Sequence, residues 1–338
     1  MAPPCSTTPP PRRTVAGLLG GAALAVLVAM NLAGHSVAPR PAAGATTATA
    51  TAGATVGGSS DVAPGSDGRS IRAGAPQRVP PLGATAAAGL LCASADNPDL
   101  AARLSSDIAT VLRNRDDTVG FAAEDPATGI ACASHPTRAF DSASAVKATI
   151  LAAVLRRAQE QQRDLSAAEI LALNSMIIYS DNDAATTLWD SLGRARFAAF
   201  LALAGMTSTS PGPGDCWGLT QITAGDELRL LDVLTTRQDV LSSRWKAYAL
   251  GLMADVTDSQ RWGTPFGTPP GVTAHVKNGW LLRNTRGWRV HSLGIFTGAG
   301  ADYRMAVLTD NNVSMAYGIE TIQEVAGAVN RDLARTAR

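Results

Sequence analysis

The first 90 residues of this 338-residue chain contain no phenylalanine, tryptophan or tyrosine, although the whole chain has 16 of these residues. They contain 13 of the 32 glycines and 11 of the 19 prolines instead. A segment of this composition cannot bury enough apolar surface to offset the loss of chain entropy on folding. We therefore expect one folded domain over residues 91–338, which is long enough for a sizeable hydrophobic core.

Other scarcities exclude whole classes of protein. The chain has 29 basic and 28 acidic residues, which argues against nucleic-acid binding through overall positive charge. A single long apolar run excludes a polytopic membrane protein, and four cysteines are too few for a disulfide-built scaffold. Histidines, cysteines and acids do not cluster at metal-ligand spacing, so we expect no metal and no other cofactor.

Residues 1–38 have the pattern of an export signal or an N-terminal membrane anchor. Arg12 and Arg13 precede an uncharged apolar run of 19 residues from Thr14 to Leu32, which is long enough to span a bilayer. Whether a peptidase removes this segment is left open. Residues 39–90, rich in Ala, Thr, Gly and Pro, are expected to form a disordered linker. In both cases the folded domain acts outside the cytoplasm, secreted or anchored.

Hydrophobic spacing in the folded part predicts a helix, two strands, a helical block, three strands and a last helix. If the two terminal helices flank a five-stranded antiparallel sheet, the central block forms a separate all-helical lobe. The predicted helices cover 97–115, 142–162, 166–179, 183–192, 196–204, 224–235 and 318–333, and the predicted strands cover 119–124, 129–134, 273–282, 288–296 and 303–309.

Lysine is rare, with three lysines against 26 arginines. Where arginine is the usual cation, a lysine suggests a need for an amine that can lose its proton. One lysine lies in Ser144-Ala-Val-Lys147, whose spacing places a hydroxyl and an amine on one helix face. This motif is weak by itself, because Ser243-Arg-Trp-Lys246 fits the same pattern.

Two further motifs follow Ser144-Ala-Val-Lys147 along the chain. Ser180-Asp181-Asn182 lies between two predicted helices, where it could also be a plain helix N-cap. Lys277-Asn278-Gly279 lies inside a predicted strand, where its glycine permits a close backbone approach and its lysine could also be an exposed edge-strand residue. Only the first of the two S-x-x-K segments precedes both motifs.

In this order the three motifs resemble the S-x-x-K, S-D-N and K-T-G signature of the class A β-lactamase and penicillin-binding-protein superfamily. The resemblance covers residues from about 96 to 335, and Asn278 replaces the usual Thr or Ser of the third motif. It implies an α/β sandwich plus an all-helical lobe, with the active site between them.

The resemblance implies a serine hydrolase that cleaves the C–N bond of cyclic amides through an acyl-enzyme. Ser144 would be the nucleophile and Lys147 its proton acceptor. Ser180, assisted by Lys277, would pass a proton to the leaving nitrogen. The backbone N–H groups of Ser144 and Trp280 would form the oxyanion hole.

The resemblance also implies a set of substrate-binding residues. Lys277 and Asn278, with Arg286 or Arg289 across the hairpin, would hold the substrate carboxylate. Asn182 would position the helical lobe and the substrate amide. The substrate-binding residues implied are Asn182, Asn278, Gly279, Trp280, Arg286 and Arg289.

The glutamate that activates the deacylating water in class A enzymes has no counterpart here. The corresponding loop, about Thr207 to Gly218, is short and contains one acid, Asp215. We therefore expect fast acylation by β-lactams or related amides and slow deacylation. The alternatives are a D-Ala-D-Ala peptidase acting on peptidoglycan stem peptides, and a non-hydrolytic module that binds peptidoglycan or β-lactams. The expected form is a monomer that binds no nucleic acid.

Two other patterns do not support a different mechanism. Gly214-Asp-Cys-Trp-Gly218 resembles a cysteine nucleophile elbow, but no strand pattern precedes it. His275 and His291 lie in predicted strands, where a structural role is the more common one. Of the cysteines, Cys92 and Cys132 are favoured as a disulfide pair, because both lie near the first helix and the strands on which it packs.

Overall fold

The computed structural model describes residues 91–334. The predicted signal or anchor over residues 1–38 and the predicted linker over residues 39–90 lie outside the described residues. Within residues 91–334, no helix is both long enough and apolar enough to cross a membrane.

An antiparallel six-stranded sheet runs through the domain in the order β1–β3–β2–β8–β7–β6, and β4 pairs separately with β5. The five predicted strands are all present. β1 is an additional edge strand, and its two residues are too few to produce an alternating pattern. The strands are β1 (Cys92–Ala93), β2 (Thr118–Asp125), β3 (Ile130–Ser134), β4 (Phe140–Asp141), β5 (Gln221–Ile222), β6 (Thr273–Leu282), β7 (Trp288–Gly298) and β8 (Ala301–Asn312).

Helices cover both faces of the sheet. The first and last helices pack together on one face, and the others form the predicted lobe against the opposite face. The described helices are α1 (Pro98–Arg113), α2 (Lys147–Glu160), α3 (Ala167–Ile178), α4 (Asn182–Leu192), α5 (Arg194–Ala204), α6 (Ala224–Thr235), α7 (Ser243–Ala254) and α8 (Met315–Ala334).

Alternate residues of each central strand belong to different hydrophobic cores. In β7, Val290 and Phe296 pack with α1 and α8, whereas Leu293 and Ile295 pack with the helical lobe. Side chains of successive strand residues point to opposite faces, so a strand covered on both faces is apolar throughout. The fold is therefore the α/β sandwich with a helical lobe that the sequence predicts.

A disulfide joins Cys92 to Cys132, the pair favoured from the sequence. The two residues are direct partners in the antiparallel pairing of β1 with β3. Closing a chain segment of 40 residues restricts the unfolded chain, which for a loop of this length is a stabilisation of about 2–4 kcal/mol. The bond ties the short edge strand to the sheet.

The predicted helix over 142–162 does not begin as an α-helix. Residues Ala143–Val146 form a 3₁₀ turn, and the α-helix begins at Lys147. The backbone of Ala143 has a φ of 47°, a left-handed conformation that an α-helix cannot include. The sequence gives no sign of this, because alanine is a strong helix former.

Helix α7 (Ser243–Ala254) is absent from the prediction. Its apolar residues are spread around the helix, so no single stripe stands out, and Gly251 lowers its helix propensity further. It contains the second S-x-x-K segment. Ser243 is exposed and bonds to Gln238, and Lys246 is buried in the lobe.

Candidate active site

Ser144 lies in the 3₁₀ turn that connects β4 to α2. Side chains three residues apart lie on the same side of a 3₁₀ turn, so Ser144 and Lys147 project together. Ser144 is half-buried, and its Oγ forms no hydrogen bond within residues 91–334. The turn therefore presents a hydroxyl without a competing partner in the described part of the chain.

Lys147 is fully buried at the start of α2. Its Nζ lies 2.6 Å from the carbonyl oxygen of Ser180, 2.8 Å from Asn182 Oδ1 and 3.3 Å from Ser180 Oγ. Burial lowers the pKa of the amine to about 7, although the negative charge of Asp181 raises it in part. A lysine in this environment can accept a proton at neutral pH.

Lys277 of β6 reaches the same hydroxyl from the other side. Its Nζ donates to Ser180 Oγ at 3.0 Å and to the carbonyl of Asn278 at 2.9 Å. Lys277 is buried, so the alternative of an exposed edge-strand lysine is wrong. Burial, and secondly the charge of Lys147, lower the pKa of Lys277 well below its usual value. Ser180 Oγ thus lies between two desolvated amines.

The Ser180-Asp181-Asn182 segment caps a helix and also contacts Lys147. Asp181 is the N-cap of α4, and its carboxylate accepts from the N–H of Ala184 at 2.7 Å. Ser180 has a φ of 57°, which turns the chain sharply between α3 and α4. Because Asp181 caps the helix, the residues on either side of it are left to contact Lys147.

Gly279 brings β6 into backbone contact with the turn that carries Ser144. A Cβ atom at this position would lie 2.5 Å from Ala145 N, 2.9 Å from Ser144 N and 2.9 Å from Ser142 O. The close backbone approach predicted at Gly279 is therefore a contact between strand β6 and the backbone of the Ser144 turn. It places the amide of Ser144 beside strand β6, next to Trp280.

Asn278 is directed away from this cluster. Its side-chain amide donates to the carbonyls of Gln260 at 2.7 Å and Trp262 at 2.9 Å, and the residue is buried. Adjacent strand residues point to opposite faces, so Asn278 cannot share the direction of Lys277. The expectation that its side chain holds a substrate carboxylate is corrected: its amide anchors the 260–262 segment.

Arg286 and Arg289, the other residues expected to bind a carboxylate, each face a carboxylate of the protein. Arg286 Nη1 lies 3.2 Å from Asp310, and the buried Arg289 lies 3.4 Å from Asp141. Each carboxylate is shared with a second arginine, Asp310 with Arg138 and Asp141 with Arg283. The role of Arg286 and Arg289 toward a substrate stays a prediction.

Trp280 provides a half-buried ring beside the predicted oxyanion hole. Its indole meets that of Trp262 edge to face, with ring centroids 5.8 Å apart. The oxyanion role predicted for its backbone N–H remains a prediction.

The two strand histidines bind backbone and hydroxyl groups. His275 contacts the carbonyl of Leu250 and the hydroxyl of Thr297. His291 has Nε2 2.8 Å from the carbonyl of Asp141 in β4, and its Nδ1 accepts from the N–H of Thr309 in β8 at 3.2 Å. Since Nδ1 accepts, the ring is neutral and Nε2 donates.

Acid is expected to destabilise the protein through His291. Burial lowers the pKa of this histidine from 6.5 to about 4. Between these values the unfolded chain binds a proton that the folded protein does not, so the free energy of unfolding falls as the pH falls below 6.5. The expected loss by pH 4 is about 3 kcal/mol. Urea unfolding of the wild type and of His291→Gln from pH 7 to pH 4 measures this contribution, and equal pH slopes in the two proteins would contradict it.

Trp217, in the loop before α6, belongs to the surroundings of Lys147, although none of the three motifs indicates it. Asp215 is exposed there, whereas Trp217 is buried, with its ring centroid 4.9 Å from Lys147 Nζ. The indole N–H donates to Thr186 of α4 at 3.1 Å. The sequence does contain one indication of this residue: the chain has only six tryptophans, and Trp217 lies in a loop rich in Gly and Pro, where a large apolar side chain is unusual. Residues Trp217–Leu219 form a 3₁₀ turn, with no strand–turn–helix elbow at this loop.

Across residues 91–334, histidines, cysteines and acids do not form a group of three or more that could hold a metal ion. The hydrogen-bonded cluster consists of the Ser180 hydroxyl and two buried amines, and Ser144 lies in the turn immediately before Lys147.

Solved structures share this fold. A β-lactamase from Xanthomonas campestris superimposes with a TM-score of 0.60 at 18% identity, covering 69% of this chain and 98% of that one. A variant of the reconstructed last common ancestor of Gram-negative class A β-lactamases gives a TM-score of 0.57 at 21% identity, covering 69% and 99%. These likenesses show the fold.

Related sequences extend the comparison. Proteins named "Putative lipoprotein LppW" from Mycobacterium tuberculosis H37Rv and Mycobacterium bovis are 29% identical over 184 residues, which is 53% of this chain. The alignment spans 59% of the length of these relatives. The sequence profile described as the beta-lactamase enzyme family matches residues 103–171 and 168–333. Because that match covers well over half of the chain, the protein belongs to the β-lactamase enzyme family.

Proposed function

We propose that the protein is an extracytoplasmic serine hydrolase that forms an acyl-enzyme through Ser144 with β-lactams or related amides. One observation carries the proposal. Ser180 Oγ lies 3.3 Å from Lys147 Nζ and 3.0 Å from Lys277 Nζ, and both amines are buried without a salt bridge in the described part of the chain. Buried amines of this kind are suited to moving protons near neutral pH.

In the proposed acylation, Ser144 is the nucleophile, and Lys147, Ser180 and Lys277 move protons. Ser144 Oγ attacks the carbonyl carbon of the amide, and its proton passes to Lys147 Nζ. The C–N bond breaks as Ser180 Oγ–H donates to the leaving nitrogen, and Ser180 recovers a proton from the neighbouring lysine. The product is an ester between Ser144 and the acyl group, with the amine still attached in a cyclic substrate.

Slow hydrolysis of this ester is the second part of the proposal. Deacylation requires a base that activates water, and the predicted loop offers one acid, Asp215, whose side chain is exposed. No shielded carboxylate from this loop contacts Lys147 or Ser180 among the hydrogen bonds of residues 91–334. We expect acyl-enzyme to accumulate.

A D-Ala-D-Ala peptidase is the second candidate. The same exposed Asp215 favours it, because a peptidase of the penicillin-binding type is also acylated by penicillin and releases it slowly. The natural substrate would then be the stem peptide of peptidoglycan, with a D-alanine amine as the leaving group.

Several features support an extracytoplasmic location. Residues 1–38 have the pattern of a signal or anchor, and the Mycobacterium relatives bear the name of a lipoprotein. No cysteine lies directly after the apolar run, since the next one is Cys92, so we propose anchoring or export by the apolar segment itself. The disulfide in the folded domain fits an oxidising compartment.

Removal of the Ser144 hydroxyl is expected to abolish covalent labelling by a fluorescent penicillin. The wild type should show one labelled band on a denaturing gel, and Ser144→Ala none, because Ser144 carries the hydroxyl that forms the ester in the proposed mechanism. Ser243→Ala is the matched control, since it alters the same motif in α7 and should label like the wild type. Equal labelling of Ser144→Ala would contradict the nucleophile assignment.

Intact-mass measurement after exposure to penicillin separates the candidates. A persistent adduct of one acyl group supports slow deacylation, and turnover of a D-Ala-D-Ala peptide would then favour the peptidase. Rapid return to the free mass would identify an efficient β-lactamase and contradict slow deacylation. No adduct would indicate a non-hydrolytic binding module and contradict the proposed enzyme.

A further inference from the structure

The indole of Trp217 forms one wall of the Lys147 environment. Trp217 is 1% exposed, and Lys147 Nζ lies over its ring at 4.9 Å from the centroid. The ring is held by Nε1, which donates to Thr186 at 3.1 Å, and the backbone of Trp217 is held by its carbonyl, which accepts from the N–H of Thr220 at 3.1 Å. The indole cannot swing aside without breaking its bond to Thr186.

Lys147 has no surface left for water. Two oxygens of Ser180, the side chain of Asn182 and the indole surround its amine, and the residue is 0% exposed. The aromatic face attracts an ammonium ion, but it also removes water from the amine. The loss of water dominates, because the pKa of Lys147 is lowered to about 7.

We propose that Trp217 is the positioning residue that keeps the acyl-enzyme long-lived, because its indole fills the space beside Lys147 that a hydrolytic water would occupy. This inference rests on the proposed acylation of Ser144. The ester would be formed on Ser144, three residues before Lys147, so neutral Lys147 is the base closest to it along the chain. The indole prevents a water molecule from binding to the Lys147 amine.

The reaction that Trp217 slows is the hydrolysis of the Ser144 ester by water. The oxygen of a water molecule adds to the acyl carbon, and the bond between that carbon and Ser144 Oγ breaks. One proton of the water is taken by the base and returned to Ser144 Oγ, and the acyl group leaves as a carboxylic acid. The step needs water and a base in contact, which the indole of Trp217 keeps apart.

Trp217→Ala is expected to shorten the lifetime of the penicillin adduct at least tenfold, measured by intact mass against time after removal of free penicillin. Trp217→Phe keeps an aromatic face and should restore a lifetime within about threefold of the wild type. Trp189→Ala is the matched control: Trp189 is also buried in the lobe but packs on Phe197, and its loss should leave the lifetime unchanged.

Titration of Lys147 by NMR of its labelled Cε provides a readout that needs no adduct. Its pKa should rise by about one unit in Trp217→Ala, as water reaches the amine, and should stay near 7 in Trp217→Phe. If Trp217→Ala does not fold, Thr186→Val is measured in the same way, because it removes the acceptor of the indole N–H. Like Trp217→Ala, it should shorten the adduct lifetime and raise the pKa of Lys147.

The two proposals fail in different ways. An unchanged adduct lifetime and an unchanged Lys147 titration in a folded variant would overturn the role of Trp217. Absence of any adduct in the wild type would overturn the proposed acylation, and the titration would still show whether the indole keeps Lys147 free of water.

Discussion

Lys147→Met should lower the rate constant of acylation by penicillin by about 10³-fold. Methionine has a similar length and is tolerated in buried positions, but it cannot take the proton of Ser144. The reason lies in the structure of the site: the Lys147 amine is desolvated and is placed on the same side of the chain as the Ser144 hydroxyl. Stopped-flow fluorescence with a reporter penicillin measures the rate constant.

The pH dependence of the same rate constant tests the mechanism rather than the fold. With a pKa of about 7, Lys147 is protonated in acid, so wild-type acylation should rise about tenfold per pH unit below 7 and level off above it. Lys147→Met should lose this profile. Lys246→Met removes another buried lysine at the end of the second S-x-x-K segment and should keep both rate and profile. A wild-type rate independent of pH would refute the assignment of Lys147 as base.

Gly279→Ala is expected to reduce acylation by at least about 10²-fold and to lower the free energy of unfolding by about 1–3 kcal/mol. The added Cβ would meet Ala145 N at 2.5 Å and Ser142 O at 2.9 Å, and these are backbone atoms that cannot rotate away. The Ser144 turn must therefore move off β6, which separates the amides expected to bind the oxyanion. Acylation kinetics and urea unfolding measure the two effects.

Gly251→Ala provides the matched control for this substitution. A Cβ at Gly251 of α7 meets no other atom within 4 Å, and alanine favours a helix over glycine by about 0.5–1 kcal/mol. This variant should acylate normally and be slightly more stable. If Gly279→Ala also acylates at the wild-type rate, the contact between β6 and the Ser144 turn does not assemble the site.

Most of the architecture could be predicted from the sequence because it depends on local periodicity. Helix α6 was predicted over its observed range, since Thr223 supplies an N-cap whose hydroxyl accepts from Asp226 N. β6 was also predicted with its observed bounds. α7 was not, because its apolar residues form no stripe, and the 3₁₀ turn at Ala143 was not, because its left-handed backbone depends on the packing around it.

The order of the motifs along the chain was enough to predict which residues meet at the site. It was not enough to predict the direction in which each side chain points. Lys147, Ser180 and Lys277 meet as the three motifs suggest. Asn278 points to the opposite face of the sheet and bonds to Trp262, which follows from strand alternation but not from the motif itself. Trp217 reaches Lys147 from a loop without periodicity, so only the folded chain reveals it.

The two edges of the sheet differ in length, and this has a consequence for solubility. Strand β6 is an outer strand of ten residues, and an uncovered strand edge is a template for pairing with a second chain. The opposite edge is the two-residue β1, which its disulfide ties to β3. Unwanted pairing between two molecules is therefore expected along β6 rather than along β1, so a proline or a charged residue on the outer side of β6 should reduce aggregation.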